Sequence, residues 1–250
     1  MRLLFPLLLV LGMGMGSAVA AGPFDDLSDE DRALLGREIR TYLLKNPEVL
    51  MEVISELESR RAEARAQQAA RALEAHRDAI LDDGHSRVGG NPDGDVTIVE
   101  FLDYQCSFCK RAHPEVGELL ARDGEIRLIQ KEFPILGPAS EIAARAAVAV
   151  LLEQDQALYK AFSDRLMQHK GPLNAKVVEG LARTSGVDVK AMAALAQSDR
   201  VTRILQANRE LGAALQIGGT PTFAIGDELV RGYPPLAQMQ DMVDAQRDKM

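Results

Sequence analysis

The chain has 250 residues, 29 Lys and Arg against 37 Asp and Glu, a formal charge of −8, no Trp and only two Cys. That charge argues against a nucleic-acid partner, which would need basic patches to neutralise phosphates. Two cysteines are too few for a disulfide-stapled secreted scaffold, and the length suits one large domain or a domain with an appendage.

Residues 1–20, MRLLFPLLLVLGMGMGSAVA, carry one early cation at Arg2, then an apolar run, then Ala18-Val19-Ala20. This is the three-part pattern of a signal peptide, with cleavage expected before Ala21. The competing reading is a membrane anchor, but a span needs roughly 20 apolar residues and the run from Leu3 to Leu11 is shorter. A cleaved leader places the mature protein, soluble, in an oxidising compartment, best a periplasm.

Residues 21–81 read as a helical region. Ser28 is a good N-cap, followed by acids at Asp29, Glu30 and Asp31 that suit the positive end of a helix dipole. A second helix restarts with Asn46 as its cap and Pro47 at its first position. Val49, Leu50, Val53, Ile54 and Leu57 form an apolar stripe at helical spacing, and Leu50, Ile54 and Leu57 follow the a/d step of a coiled coil. Beyond Leu57 the sequence turns to Arg, Ala, Glu and Gln, and predicts an exposed linker rod. The stripe, with Leu34, Leu35, Tyr42, Leu43 and Leu44, predicts association with copies of the same chain. The alternative is that these helices fold back on the rest of their own chain.

Residues 82–95, DDGHSRVGGNPDGD, are dense in Gly, Asp and Asn and predict a loop at a domain boundary. From 96 to 250 the pattern is α/β. VTIVEFLDY predicts a buried strand, CSFCKRAHPEVGELLARDG a helix kinked at Pro114, and IRLIQKEFPI a second strand. A helical stretch covers about 138–215. IGGTPTFAIG and ELVRGY then return to strand, and a closing helix follows.

Both cysteines, Cys106 and Cys109, sit where the first strand meets the helix. A disulfide closing so small a loop would stabilise little, so the pair points to reactivity. A strand leading to C-x-x-C at a helix start is the setting in which that motif means redox chemistry. Backbone N–H groups and the dipole at that end favour the Cys106 thiolate, the nucleophilic form. Cys106 is therefore expected to be the exposed attacking sulfur and Cys109 the inward resolving one, with Ser107 and Phe108 tuning the reduced form. Lys110 and Arg111 read first as solvated charges. The rival is a Cys/Cys/His metal site using His113 and His85, but the chain has no second C-x-x-C and no paired histidines at zinc spacing. Glu100 is a carboxylate in an otherwise apolar strand, where it is costly unless protonated or paired. Its partner could be Lys131, and the competing reading puts it at a solvent-facing edge.

These motifs together, VEFLDYQCSFC, KEFP, the helical stretch and GTPTF, resemble the DsbA family. The resemblance implies a thioredoxin fold with an inserted helical domain at about 138–215, preceded by an N-terminal helical region. The N-terminal helices and Thr220 before Pro221 are most similar to the ScsC-type branch. The resemblance further implies a cis bond at Pro221, with Thr220 and Phe108 beside the substrate, and Glu100 moving a proton to or from Cys109. An ordinary trans proline in a turn is the alternative for Pro221. The expected function is thiol–disulfide exchange on exported proteins with cysteines, without a cofactor or metal. A membrane redox partner would reset the pair, and the protein would be a homo-oligomer, a trimer if the branch holds. Oxidase, isomerase and reductase stay open, with Thr220 and the oligomer favouring shuffling. The second function class is copper handling through the two thiols.

Overall fold

The computed structural model describes residues 27–250, so the expected signal peptide and its cleavage point lie outside the described residues. The described residues fall into two units, one ending at Arg60 and the other Arg61–Met250.

The first unit holds α1 (Asp29–Lys45) and the start of α2 (Glu48–Ala75). Ser28 caps α1, its Oγ accepting the Asp31 N–H at 3.2 Å, as the sequence predicts. Asn46 behaves differently from expectation. Its side-chain amide donates back to the Tyr42 carbonyl at 2.8 Å, so it closes α1 instead of capping α2 through its side chain. A carbonyl left open at a helix C-terminus competes for the same amide, and here it wins. No residue of α1 is buried, and Leu34, Ile39, Tyr42, Leu44, Leu50, Val53, Ile54 and Leu57 are all exposed.

The second unit is built on a five-stranded sheet of order β1-β3-β2-β4-β5. The strands are β1 (Arg87–Gly90), β2 (Val96–Leu102), β3 (Ile126–Glu132), β4 (Thr222–Ile225) and β5 (Glu228–Arg231). β2 and β3 are parallel, joined over one face by α4 (Ser107–Arg122); the other pairings are antiparallel. Within 82–95, expected as a loop, β1 is a correction. Its four residues, RVGG, are too short and glycine-rich to read as strand, and it exists because β3 offers a free edge. Gly90 is needed there: its φ is 66°, and an added Cβ would come within 2.3 Å of the Ile126 carbonyl oxygen.

Successive strand residues point to opposite faces. Ile98, Ile126 and Leu128 pack with Ala112, Val116 and Leu119 of α4 and with α10 (Leu236–Arg247). Val99, Phe101, Ile129 and Phe133 pack on the other face. That face is covered by α9 (Asp199–Ala214), by Leu73 of α2 and by Ile80 of α3 (Arg77–Leu81). From Glu58 to Gln68, α2 is the exposed rod that its polar composition predicts, and near its end Leu73 is buried. Leu73 of α2 and Ile80 of α3, 6% and 3% exposed, are the anchors to the sheet.

The helical stretch after β3 forms α5 (Pro138–Glu153), α6 (Gln156–Gln168), α7 (Ala175–Thr184), α8 (Val189–Ala196) and α9. α5 is its centre: its alanines let the neighbouring helices approach closely, and Ala143 to Val150 is buried except for Arg145. The helical cluster also takes in Leu102, Tyr104, Cys106 and Cys109, so the insertion packs directly against the cysteine pair. α4 runs unbroken through Pro114.

Candidate active site

Cys106 is the N-cap of α4, with extended backbone at φ −73° and ψ 118°. Its Sγ folds back over the first turn, 3.4 Å from the Cys109 N–H, and donates to the Thr220 carbonyl at 3.0 Å. This arrangement corrects the expectation of an exposed sulfur: Cys106 is 6% exposed, because capping the helix and bonding Thr220 both draw it inward. Cys109 is 0% exposed, and both thiols are free.

Electrostatics separates the two. The Cys109 thiol donating to Cys106, aided by the Cys109 and Phe108 N–H groups, outweighs burial and holds Cys106 down to about 5. The Thr220 carbonyl bonds only the protonated sulfur, so it opposes ionisation, and the donors at the start of α4 prevail. Burial, the hydrogen bond to Cys106 and the charge of Glu100 push the Cys109 thiol far up. At neutral pH the reduced pair is one thiolate and one thiol.

Thr220 and Pro221 lie at the entry to β4, joined by a cis peptide bond. The Thr220 hydroxyl is buried without a hydrogen-bond partner. Phe108 is 52% exposed, with the Arg111 guanidinium 5.7 Å from its ring centroid and 5.0 Å from that of Tyr233. Arg111 is an exposed charge, as expected, that also lies near both rings, and Lys110 donates to the His169 carbonyl at the end of α6 at 2.7 Å. Ile135 and Leu136, also exposed, have their N–H groups tied to Asp103, three residues before Cys106.

Glu100 is fully buried on the α4 face of the sheet, with Gln130 as its partner in the β2–β3 register. The Gln130 amide donates to Glu100 Oε2 at 2.9 Å, and Gln130 Oε1 accepts from Arg87 at 2.7 Å. Glu100 Oε1 has no partner. Burial raises the Glu100 carboxyl above its ordinary range, against the pull of Gln130.

Lys131 is not the partner of Glu100. It pairs with Phe101 in register, so its side chain leaves by the opposite face. There its ammonium meets Asp83 at 2.5 Å and the Ala79 carbonyl at 2.9 Å. Burial would raise the Asp83 carboxyl, but the charge and hydrogen bond of Lys131 hold it down to about 2. Asp83→Ala leaves a buried ammonium without its counter-charge and is expected to cost about 3–5 kcal/mol in urea unfolding at neutral pH. The sign follows from the lowered carboxyl: the stabilisation is whole above the unfolded value of about 4 and fades as pH falls towards 2.

His113 Nε2 lies 2.9 Å from Asp164, and His85 interacts with Asp83. Among the described residues no three His, Cys, Asp or Glu side chains form a metal-holding group, and no helix is long and apolar enough to cross a membrane. Sequence reasoning missed Glu132, buried next to the site; the one available signal was an acid inside a strand, the signal that singled out Glu100.

A parallel strand leading into C-x-x-C at a helix start, with the entry to β4 facing it, defines a thioredoxin-fold protein. The family described as "Thioredoxin" matches residues 82–245, and that described as "Copper resistance protein ScsC N-terminal domain" matches residues 31–64. The chain belongs to the thioredoxin family, in its ScsC- and DsbA-like branch. A thioredoxin-like oxidoreductase from Silicibacter pomeroyi is 40% identical, with a TM-score of 0.65 over 69% of this chain and 98% of that one. ScsC of Proteus mirabilis in a transitional conformation is 30% identical, with a TM-score of 0.66 over 90% of this chain and 100% of that one. The thiol-disulfide exchange protein alpha-DsbA2 of Wolbachia pipientis is 30% identical, with a TM-score of 0.69 over 73% and 98%. The chain spans about a quarter of the length of the curated Na(+)/H(+) antiporters it matches.

Proposed function

We propose that this chain is a periplasmic thiol:disulfide oxidoreductase that shuffles disulfides in exported proteins through the Cys106-Ser107-Phe108-Cys109 pair. The observation that carries the reading is the asymmetry of the two sulfurs, a thiolate at the N-cap of α4 and a buried thiol one turn on. Its likeness to the thiol-disulfide exchange protein of Wolbachia pipientis supports it.

The Cys106 thiolate attacks one sulfur of a substrate disulfide. That S–S bond breaks, one substrate sulfur leaves as thiolate, and the other stays in a mixed disulfide with Cys106. The freed thiolate can attack a neighbouring wrong bond, which is isomerisation. Alternatively, Cys109 gives its proton to Glu100 and attacks Cys106 Sγ. The Cys106–Cys109 bond then forms and the second substrate sulfur leaves, so the pair is oxidised and the substrate reduced by two electrons. A membrane dithiol partner returns those electrons. Thr220 offers its main chain to an extended substrate strand, and Phe108 supplies apolar surface beside the nucleophile. The exposed apolar face of the N-terminal helices joins copies of the chain into a homo-oligomer, three on the ScsC-type pattern, which sets several Cys pairs around one substrate.

Cys106→Ala is expected to abolish insulin reduction and scrambled-substrate repair. Cys109→Ala should accumulate mixed disulfides through Cys106, visible on non-reducing gels. Full insulin reduction by Cys106→Ala would sink the reading. Tight Cu(I) binding by the reduced protein without any exchange would favour the copper-handling reading, which the match to a copper-resistance domain motivates.

A further inference from the structure

A second buried carboxyl faces the same side of the sheet as Glu100. Glu132 ends β3, two residues beyond Gln130, so strand alternation turns its side chain towards α4 and α6. Its Oε1 accepts from two phenols, Tyr104 and Tyr159, each at 2.6 Å. Its Oε2 is buried with no partner. A charged carboxylate calls for donors on both oxygens. Two donors on one oxygen and none on the other fit a neutral acid better, since an unpaired buried hydroxyl costs less than a bare buried charge.

The surroundings agree. Glu100, Asp103 and Tyr104 face Glu132 from β2 and its exit, and Tyr159 faces it from α6. The cationic groups on this side are Arg87 of β1, turned to Gln130 at 2.7 Å and lying 6.0 Å from the Tyr159 ring centroid, and His113 of α4 and Lys160 of α6, both turned to Asp164. Ser163, 3.1 Å from the Tyr104 hydroxyl, and Asn208, which donates to the Glu132 main-chain oxygen at 3.0 Å, are neutral. The charge of Asp103 is already committed to four donors: the N–H groups of Gln105, Ile135 and Leu136 and the Ser140 hydroxyl. Burial, the two phenols pulling the other way, and the like charges of Asp103 and Glu100 together hold Glu132 up at about 8.

We propose that Glu132 is a positioning residue that governs the charge on Glu100. While Glu132 keeps its proton, Glu100 is free to ionise and take the proton of Cys109; once Glu132 loses it, the two carboxylates repel and the proton stays on Glu100. The pair then titrates as a unit, and each member must shift the other equally. Tyr104 adds a mechanical link. It lies two residues before Cys106, so the proton state of Glu132 bears on the segment that presents the nucleophile. The inference rests on reading Glu100 as the base for Cys109.

The test is a side-chain carboxyl ¹³C NMR titration of the reduced full chain, with the resonance assigned through bonds to Glu132. The wild type should show a midpoint near pH 8. In Glu100→Gln it should fall by about one unit, the size of coupling that marks interacting sites. Tyr159→Phe removes a donor and should raise it. Glu132→Gln keeps an acceptor oxygen for both phenols, so resolution of a glutathione mixed disulfide by Cys109 should lose its alkaline inflection. A wild-type midpoint in the ordinary carboxylate range, or the same midpoint in wild type and Glu100→Gln, overturns the inference even where Cys106→Ala abolishes exchange. Exchange that survives Cys106→Ala removes the functional reading, whatever Glu132 does.

Discussion

Reduced protein should be alkylated by iodoacetamide at Cys106 with a titration midpoint near pH 5, while Cys109 stays unmodified from pH 4 to 9. The size of the effect has two parts. Near pH 6 a thiol of pKa about 5 is roughly 90% thiolate, against roughly 0.3% for a free cysteine of about 8.5, a gain of about 300-fold. A weaker base is also a weaker nucleophile, and a Brønsted slope of about 0.45 over that difference takes back roughly 40-fold. The net advantage over a free thiol is therefore only about tenfold, and the midpoint, not the absolute rate, is the diagnostic quantity. Against Cys109 the ratio should exceed about a hundredfold, because that sulfur is both buried and protonated. The same asymmetry predicts how stability follows pH. A group whose folded value is lowered stabilises fully above its unfolded value and loses that contribution as pH falls through the folded one. The reduced protein should therefore lose stability relative to Cys106→Ser as pH falls from about 9 to about 5. A midpoint near 8.5, or labelling at Cys109 first, would contradict the geometry at the N-cap of α4.

What the sequence reveals of this site is what local chemistry fixes. The cysteine pair, its place at a helix start and the acid at Glu100 all lie within ten residues, where strand and helix periodicities read directly. The partner of Glu100 is different, because it depends on register. Both β2 and β3 are buried on both faces, at every residue but the second, so alternation alone does not tell Gln130 from Lys131. Only the pairing of Glu100 with Gln130 decides it and sends Lys131 to Asp83. Glu132 was hidden for the same reason, since its two phenols come from the β2 exit and from α6, 28 and 27 residues away in sequence. β1 was hidden because an edge strand of RVGG owes its existence to its neighbour rather than to its own residues.

The lower limit of the catalytic unit carries the last expected result. A chain starting at Arg61 should fold, stay monomeric in light scattering and reduce insulin, whereas the chain with both N-terminal helices should scatter as an oligomer. The apolar face of those helices is the reason: Leu34, Leu44, Val53 and Ile54 are exposed within their own chain, and burial against copies removes that surface from water. A chain starting at Asp82, where composition alone would put the boundary, should fare much worse. It lacks Leu73 and Ile80, which cover Val99, Phe101 and Ile129 on the sheet. Losing large buried aliphatic side chains costs about 2–5 kcal/mol each. It also removes the Ala79 carbonyl that accepts from Lys131, leaving that buried ammonium to Asp83 and Ser86. Urea midpoints of the two shortened chains measure the difference directly. Equal midpoints would return the boundary to the loop before β1, and a monomer for the chain with both helices would refute the oligomer.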